Sequence, residues 1–156
     1  MSRTGELAQR GLEVRAATAS DYEAVVGLLR SASLPIAGVS PALTDFLVAD
    51  ARGRIVGAVG LERYGDSALL RSAVVDPSAR GSGIGHALVQ RLLDGALDEG
   101  VRAVYLLTTT AEDYFPRFGF NVIARENVPA AVQASVEFRE ACPESAVVMR
   151  KFLVDH

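Results

Sequence analysis

The sequence predicts an α/β (α+β) fold, a mixed twisted sheet of about seven strands with helices on both faces. Three observations point to it. Strand-like and helix-like stretches alternate along most of the 156 residues. Several strand candidates, such as "ALLRSAVV", are apolar at nearly every position, as in a sheet covered on both sides. One long helical stretch, ending near Glu99, lies between two strands, the usual parallel crossover.

The elements follow in order. "LEVRAATA" (12–19) reads as the first strand, after which Ser20 or Asp21 can cap the amphipathic helix "DYEAVVGLLRSA", with Val25, Leu28 and Leu29 on its apolar stripe. "SLPIAGVSP" is a Pro/Gly/Ser loop. "TDFLVAD", the turn "ARGR" and "IVGAVGLER" make a hairpin, and "YGDS" leads into the strand "ALLRSAVV". A glycine loop then opens the long helix, where Ile84, Leu88, Leu92 and Ala96 recur every fourth residue and Gly100 is a natural stop. "VRAVYLLTTT" is the next strand, "EDYFPRF" a helical turn ended by Gly119, and "FNVIAR" a further strand. "NVPAAVQASVEFREACP" reads as a helix with Pro129 near its first turn and Ala131, Ser135, Phe138 and Cys142 on one face. "SAVVMRKFL" closes as a strand, giving the order β-α-β-β-β-α-β-α-β-α-β. Residues 1–11 are expected to be a flexible tail without signal-peptide character, and 12–156 a single domain.

Composition narrows the function classes. The net charge is −3 and the pI about 5.4, so no basic footprint argues for nucleic acid. Fifteen of the sixteen basic residues are arginine, Lys151 being the exception, which reads as genome composition. The single cysteine, Cys142, permits no intramolecular disulfide and fits a cytoplasmic location. His86 and His156 lie far apart, and no Cys/His spacing suggests a metal. No apolar run reaches the roughly 18–20 residues of a membrane span.

The stretch "DPSARGSGIGHALVQ" (76–90) places Gly81, Gly83 and Gly85 at alternate positions just before a helix. A flexible turn feeding a helix is one reading. A Rossmann loop fails, because the third glycine position falls on His86 or Leu88, and a P-loop fails for want of a Gly-Lys-Ser/Thr ending. What remains is Arg80-x-x-Gly83-x-Gly85 at a helix start, where successive N–H groups and the positive end of the helix dipole can receive a diphosphate.

"LLRSAVVDPSARGSGIGHALV" resembles the acetyl-coenzyme-A signature of the GNAT N-acetyltransferases, and "YLLTTTAEDYFPRFGF" is similar to their strand-helix-"GF" unit. A narrower likeness, in "LLTTTAEDYFPRFGF", "VPAAVQASVEF" and "CPESAVVMRK", is to members associated with bacterial arsenic-resistance operons, some of which acetylate arsinothricin or phosphinothricin. The resemblance implies a GNAT-like sheet, acetyl-CoA as co-substrate and a small-molecule amine as acceptor, with no nucleic acid or membrane partner. A homodimer stays open. It also implies coenzyme contacts at Ala73, Val74, Val75, Arg80, Gly81, Ser82, Gly83, Ile84, Gly85 and His86, with a backbone N–H around Val74 polarising the thioester carbonyl. Such donors contribute about 2.7–4 kcal/mol in other acyl-transfer sites.

The pattern breaks at one point. Many relatives carry a tyrosine four residues before the glycine of "GF", where it protonates the thiolate; here that position is Phe115, and Tyr114 falls on another side of the helix. A thiolate can leave with a water's help because a thiol's pKa lies only modestly above 7, so Phe115 is expected to line the pantetheine arm and the acid is unassigned.

Glu62 is the first candidate for general base and acceptor contact, with Glu112 behind it; a surface carboxylate or a partner for Arg71 are the plain alternatives. Arg71, a lone charge in an apolar strand, either pairs with a carboxylate such as Glu62 or faces the cleft and holds an acidic group of the acceptor. Simple alternation puts Arg71, Ala73 and Val75 on one face and Leu70, Ser72 and Val74 on the other. Ser72, Thr108 and Thr110 are further candidates for the acceptor side, although threonine also suits a strand for its own sake. The rival function is a non-catalytic acyl-CoA-binding sensor or interaction module on the same fold.

Overall fold

The structure, a computed structural model, describes residues 11–109, 111–135, 138 and 146–153. Seven strands form one mixed sheet in the order β1-β2-β3-β4-β5-β7-β6. They are β1 (Leu12–Ala16), β2 (Phe46–Ala51), β3 (Arg54–Tyr64), β4 (Ser67–Val75), β5 (Ala103–Thr108), β6 (Asn121–Ile123) and β7 (Val147–Phe152). Among the described residues the α-helices are α1 (Tyr22–Ser31), α2 (Ile84–Asp98) and the single turn α3 (Ala130–Gln133).

Turn chemistry explains the hairpins. β2 and β3 are joined by Arg52 and Gly53, both with positive φ (54° and 94°), the pairing a type I′ turn demands. Between β3 and β4 the first loop residue is Gly65 at φ 70°, which suits a type II′ turn before Asp66. β4 and β5 run parallel, as the intervening α2 requires.

The chain forms two compact units, residues up to 60 with 72–92, and 61–71 with 93 onward. In the first, Val25 and Leu29 of α1 are fully buried against Val48, Ala58 and Val74. α2 approaches β3 so closely that a Cβ at Gly57 would lie 3.0 Å from Leu88 Cδ1. In the second, Leu69, Tyr105, Val128, Val132 and Val148 form the core.

Three local expectations are corrected. Asp21 precedes α1 without capping it: its carboxylate turns back to the Thr18 amide at 2.8 Å and to Arg15 at 2.9 Å. A buried, charge-assisted contact outcompetes a cap exposed to water. Of the helix read over 127–143, the described residues show a 3-10 turn at Arg125–Asn127 and, after Pro129, an α-helical turn at Ala130–Gln133, while 136, 137 and 139–143 lie outside the described residues. Its buried positions are Val132 and Ser135, whereas Ala131 is exposed. Pro129 accounts for the late start, because it has no amide to donate and biases the residue before it away from the helix. Cys142, Thr110 and His156 lie outside the described residues.

Candidate functional site

The loop between β4 and α2 is built from the strand end outward. Asp76 Oδ1 accepts from the Ser78 amide at 2.9 Å and the Ser78 hydroxyl at 2.7 Å, while Arg54 reaches Oδ2 at 3.1 Å. The Ser78 bonds, then Arg54, hold the Asp76 carboxyl below its ordinary range. Pro77–Ala79 makes a 3-10 turn, and Arg80 Nε returns to the Val75 carbonyl at 3.3 Å. Ser82 Oγ donates to the Ala79 carbonyl at 2.6 Å.

Gly81 and Gly83 then take φ of 84° and 86°, conformations that side chains resist. A Cβ at Gly81 would meet nothing within 4 Å, so its backbone conformation, and not crowding by the protein, calls for glycine there. The Ala87 amide bonds to the Gly83 carbonyl at 3.0 Å, which closes the first turn of α2. The amides of Ile84 and Gly85 lie ahead of that bond, at the positive end of a 15-residue helix. Gly81 and Arg80 are exposed, and Ser82, Gly83, Gly85 and His86 half-buried. Within the same unit a groove of about 840 Å³ runs beside Gly27 and Leu28 of α1 and along Val74 and Val75 to Asp76 and Arg80.

β4 itself is interrupted. Ser72, buried at mid-strand, has φ 60°, a left-handed conformation rare for a non-glycine residue and characteristic of bulges and functional strain. Period-two alternation cannot be carried across such a residue, so the two faces assigned from sequence hold only separately on either side of it. Among the described residues, the registered pairing of β4 with β5 ends at Leu69 opposite Tyr105.

In the second unit Glu62 and Arg71 meet: Arg71 Nη1 donates to Glu62 Oε2 at 2.8 Å. The Arg71 side chain is 0% exposed and that of Glu62 24%. This is the pairing alternative for Arg71, and in this arrangement the guanidinium is not open to an acceptor's acidic group. Tyr64, two residues along the same strand face, donates to Glu62 Oε1 at 2.6 Å. Burial first, then that bond, pushes the Tyr64 phenol up to about 12. Tyr64 was missed from sequence, although its spacing from Glu62 was a readable signal.

Phe115 is buried among Tyr114, Phe118 and Phe120, its ring centroid 5.3 Å from Tyr114 and 5.8 Å from Phe120. Thr108 is half-buried, and its Oγ1 accepts from the Ala111 amide at 2.9 Å. Glu112 is exposed. Among the described residues no group of three or more His, Cys, Asp or Glu is placed to hold a metal, and no helix is long and apolar enough to cross a membrane.

Comparison with known proteins agrees with this architecture. Residues 42–122, 81 of the 156, match the acetyltransferase (GNAT) domain family. The chain is 37% identical over 116 residues to an amino-acid acetyltransferase of Mycobacterium tuberculosis, covering 72% of this chain and 63% of that protein. It therefore spans less than two thirds of that relative's length. An uncharacterized N-acetyltransferase of Chlorobaculum tepidum is 33% identical over 110 residues, covering 68% of this chain and 70% of the relative. Among solved structures, Rv2747 of Mycobacterium tuberculosis in complex with CoA superposes with a TM-score of 0.77 at 28% identity, over 90% of this chain and 99% of that one. The N-acetylglutamate synthase of Neisseria gonorrhoeae, complexed with coenzyme A and N-acetyl-glutamate, gives 0.79 at 18% identity, over 92% of this chain and 35% of that one, a likeness of fold. A glycine loop of this geometry, on a sheet of this order, in a chain more than half of which matches one family, has a single consistent assignment: the chain belongs to the GNAT acetyltransferases.

Proposed function

We propose that the chain is an acetyl-CoA-dependent N-acetyltransferase acting on the amino group of a small molecule. The observation that carries this reading is the opened loop at 80–85, where two left-handed glycines present backbone N–H groups at the start of α2. The residues fit a coenzyme diphosphate: Arg80 supplies charge, and among the described residues no atom beyond Gly81 and its chain neighbours lies within 4 Å of where its Cβ would sit. The adjoining groove along Val74 and Val75 supports Ala73, Val74 and Val75 as the segment that holds the pantetheine arm. Acetyl-CoA supplies an activated acyl group, and the chain's task is to orient it and to receive the amine.

For the amine, Glu62 is the group we assign. An ammonium must lose a proton before it can attack, and Glu62, partly open to solvent, can take that proton directly or through a water. Ser72, Thr108 and Thr110 stay as candidates for the acceptor side. Arg71 acts in this reading through Glu62.

The acceptor we propose is an amino acid or a close analogue, supported by the relatives named amino-acid acetyltransferases. Arsinothricin and phosphinothricin are the analogues to test first, on the resemblance to the arsenic-operon members, with arsenic or toxin resistance as the corresponding role. A cytoplasmic location and a homodimer belong to the same reading.

A second reading, a non-catalytic acyl-CoA sensor, is favoured by buried Phe115 in place of an acid. One experiment separates them: thiol release from acetyl-CoA with L-glutamate, L-glutamine, L-arginine, L-phosphinothricin and arsinothricin as acceptors. Turnover with any of them supports the enzyme. Tight acetyl-CoA binding without turnover on the whole panel establishes the sensor.

A further inference from the structure

The second unit contains a polar chain that the family signature does not call for. The Tyr64 hydroxyl donates to Glu62 Oε1 at 2.6 Å, and with one proton the phenol is committed to that carboxylate. Arg71 closes the other carboxylate oxygen at 2.8 Å.

The Arg71 side chain is 0% exposed, Tyr64 is half-buried, and Glu62 keeps 24% of its side chain open. A polar network of this kind holds its members rigidly when all are satisfied. Two donors leave a carboxylate, with about four lone-pair positions, room for about two more. The open face of the pair is thus a fixed anion whose complement is a primary ammonium.

We propose that Tyr64 is a positioning residue that fixes the Glu62 carboxylate to receive the acceptor's ammonium group. The proposal rests on the reading of Glu62 given above. Loss of the Tyr64 hydroxyl leaves Glu62 tethered at one oxygen and free to swing about its Arg71 bond. Acceptor binding weakens, and acetyl-CoA binding is untouched.

The test uses the full chain, with L-glutamate and L-phosphinothricin as acceptors and thiol release as the readout. Tyr64→Phe should lower kcat/KM for the acceptor about 10-fold, mainly through KM, as expected for a lost hydrogen bond to a charged group. The KM for acetyl-CoA should not move. In a Glu62→Gln or Glu62→Asp background, Tyr64→Phe should add little, because its effect passes through the carboxylate. A Tyr64→Phe variant that melts earlier but keeps the parental acceptor KM overturns the proposal while leaving Glu62 in place. So does an equal effect with and without Glu62. Parental kinetics in both Glu62 variants, or no turnover of either probe, instead removes the reading of Glu62, and the proposal falls with it.

Discussion

Arg71 Nη1 sits 2.8 Å from Glu62 Oε2, the cation fully enclosed and the anion partly open. An enclosed guanidinium without its carboxylate is expensive, typically about 3–5 kcal/mol, whereas replacing both partners with neutral groups of similar shape is often near neutral. Glu62→Gln should therefore destabilise by about 3 kcal/mol, and Glu62→Gln with Arg71→Met should recover most of that loss. Denaturant melts of the parent, the two single variants and the double variant measure the coupling. A double variant as unstable as the sum of the singles would show that the pair contributes nothing as a pair.

Asp21 makes the stability of the first unit acid-sensitive. Its hydrogen bond with Arg15, first, outweighs burial and brings its carboxyl down to about 2 from the ordinary 3.8. A depressed carboxyl contributes stability that is present above its unfolded pKa and is lost as pH falls through its folded pKa. Here that window runs from near 4 down to 2. The contribution is about 2 kcal/mol at neutral pH. Asp21→Asn should lower stability by about that amount at pH 7, with the gap to the parent closing towards pH 2. Parallel melts at pH 7, 4 and 2.5 check the sign.

The glycine loop can be tested for charge separately from strain. Gly83 has φ 86°, so any side chain there carries a backbone cost. Asn and Asp tolerate the left-handed region comparably, and they differ in charge. Gly83→Asn should weaken acetyl-CoA binding moderately, and Gly83→Asp should abolish it, as measured by calorimetry on folded protein. Equal affinities for the two variants would mean that no diphosphate lies against this loop.

Gly60 is held by packing, not by its backbone angles. A Cβ there would fall 2.4 Å from Phe46 Cζ, inside the ring that covers it. Overpacking of this kind costs about 1–3 kcal/mol. Gly60→Ala should sit near the top of that range, and Phe46→Leu should relieve part of the loss when the two are combined. Thermal unfolding of the single and double variants decides it.

Much of the fold was legible because its signals are local. The seven strands, the two-residue turns at Arg52-Gly53 and Gly65-Asp66, and the helix from Ile84 follow from periodicity and glycine placement, which neighbouring residues suffice to set. The glycine loop was legible for the same reason. The start of the helix read from Asn127 was not, since Pro129 withholds its amide and the regular turn begins only at Ala130.

The residues alone determined the order of the elements, the place of the helix-start loop and the presence of a lone arginine in an apolar strand. Only the tertiary structure decided where that arginine's charge goes, that Tyr64 and Arg71 close on the same carboxylate, and that β4 breaks its pleat at Ser72. The physical reason is range. Turns and strands are written in residues a few positions apart, while Arg15 meets Asp50 across 35 positions, a sequence distance that no local pattern spans. A buried ion pair or a left-handed serine is settled by the whole surrounding core, which must supply a partner for every polar group it encloses.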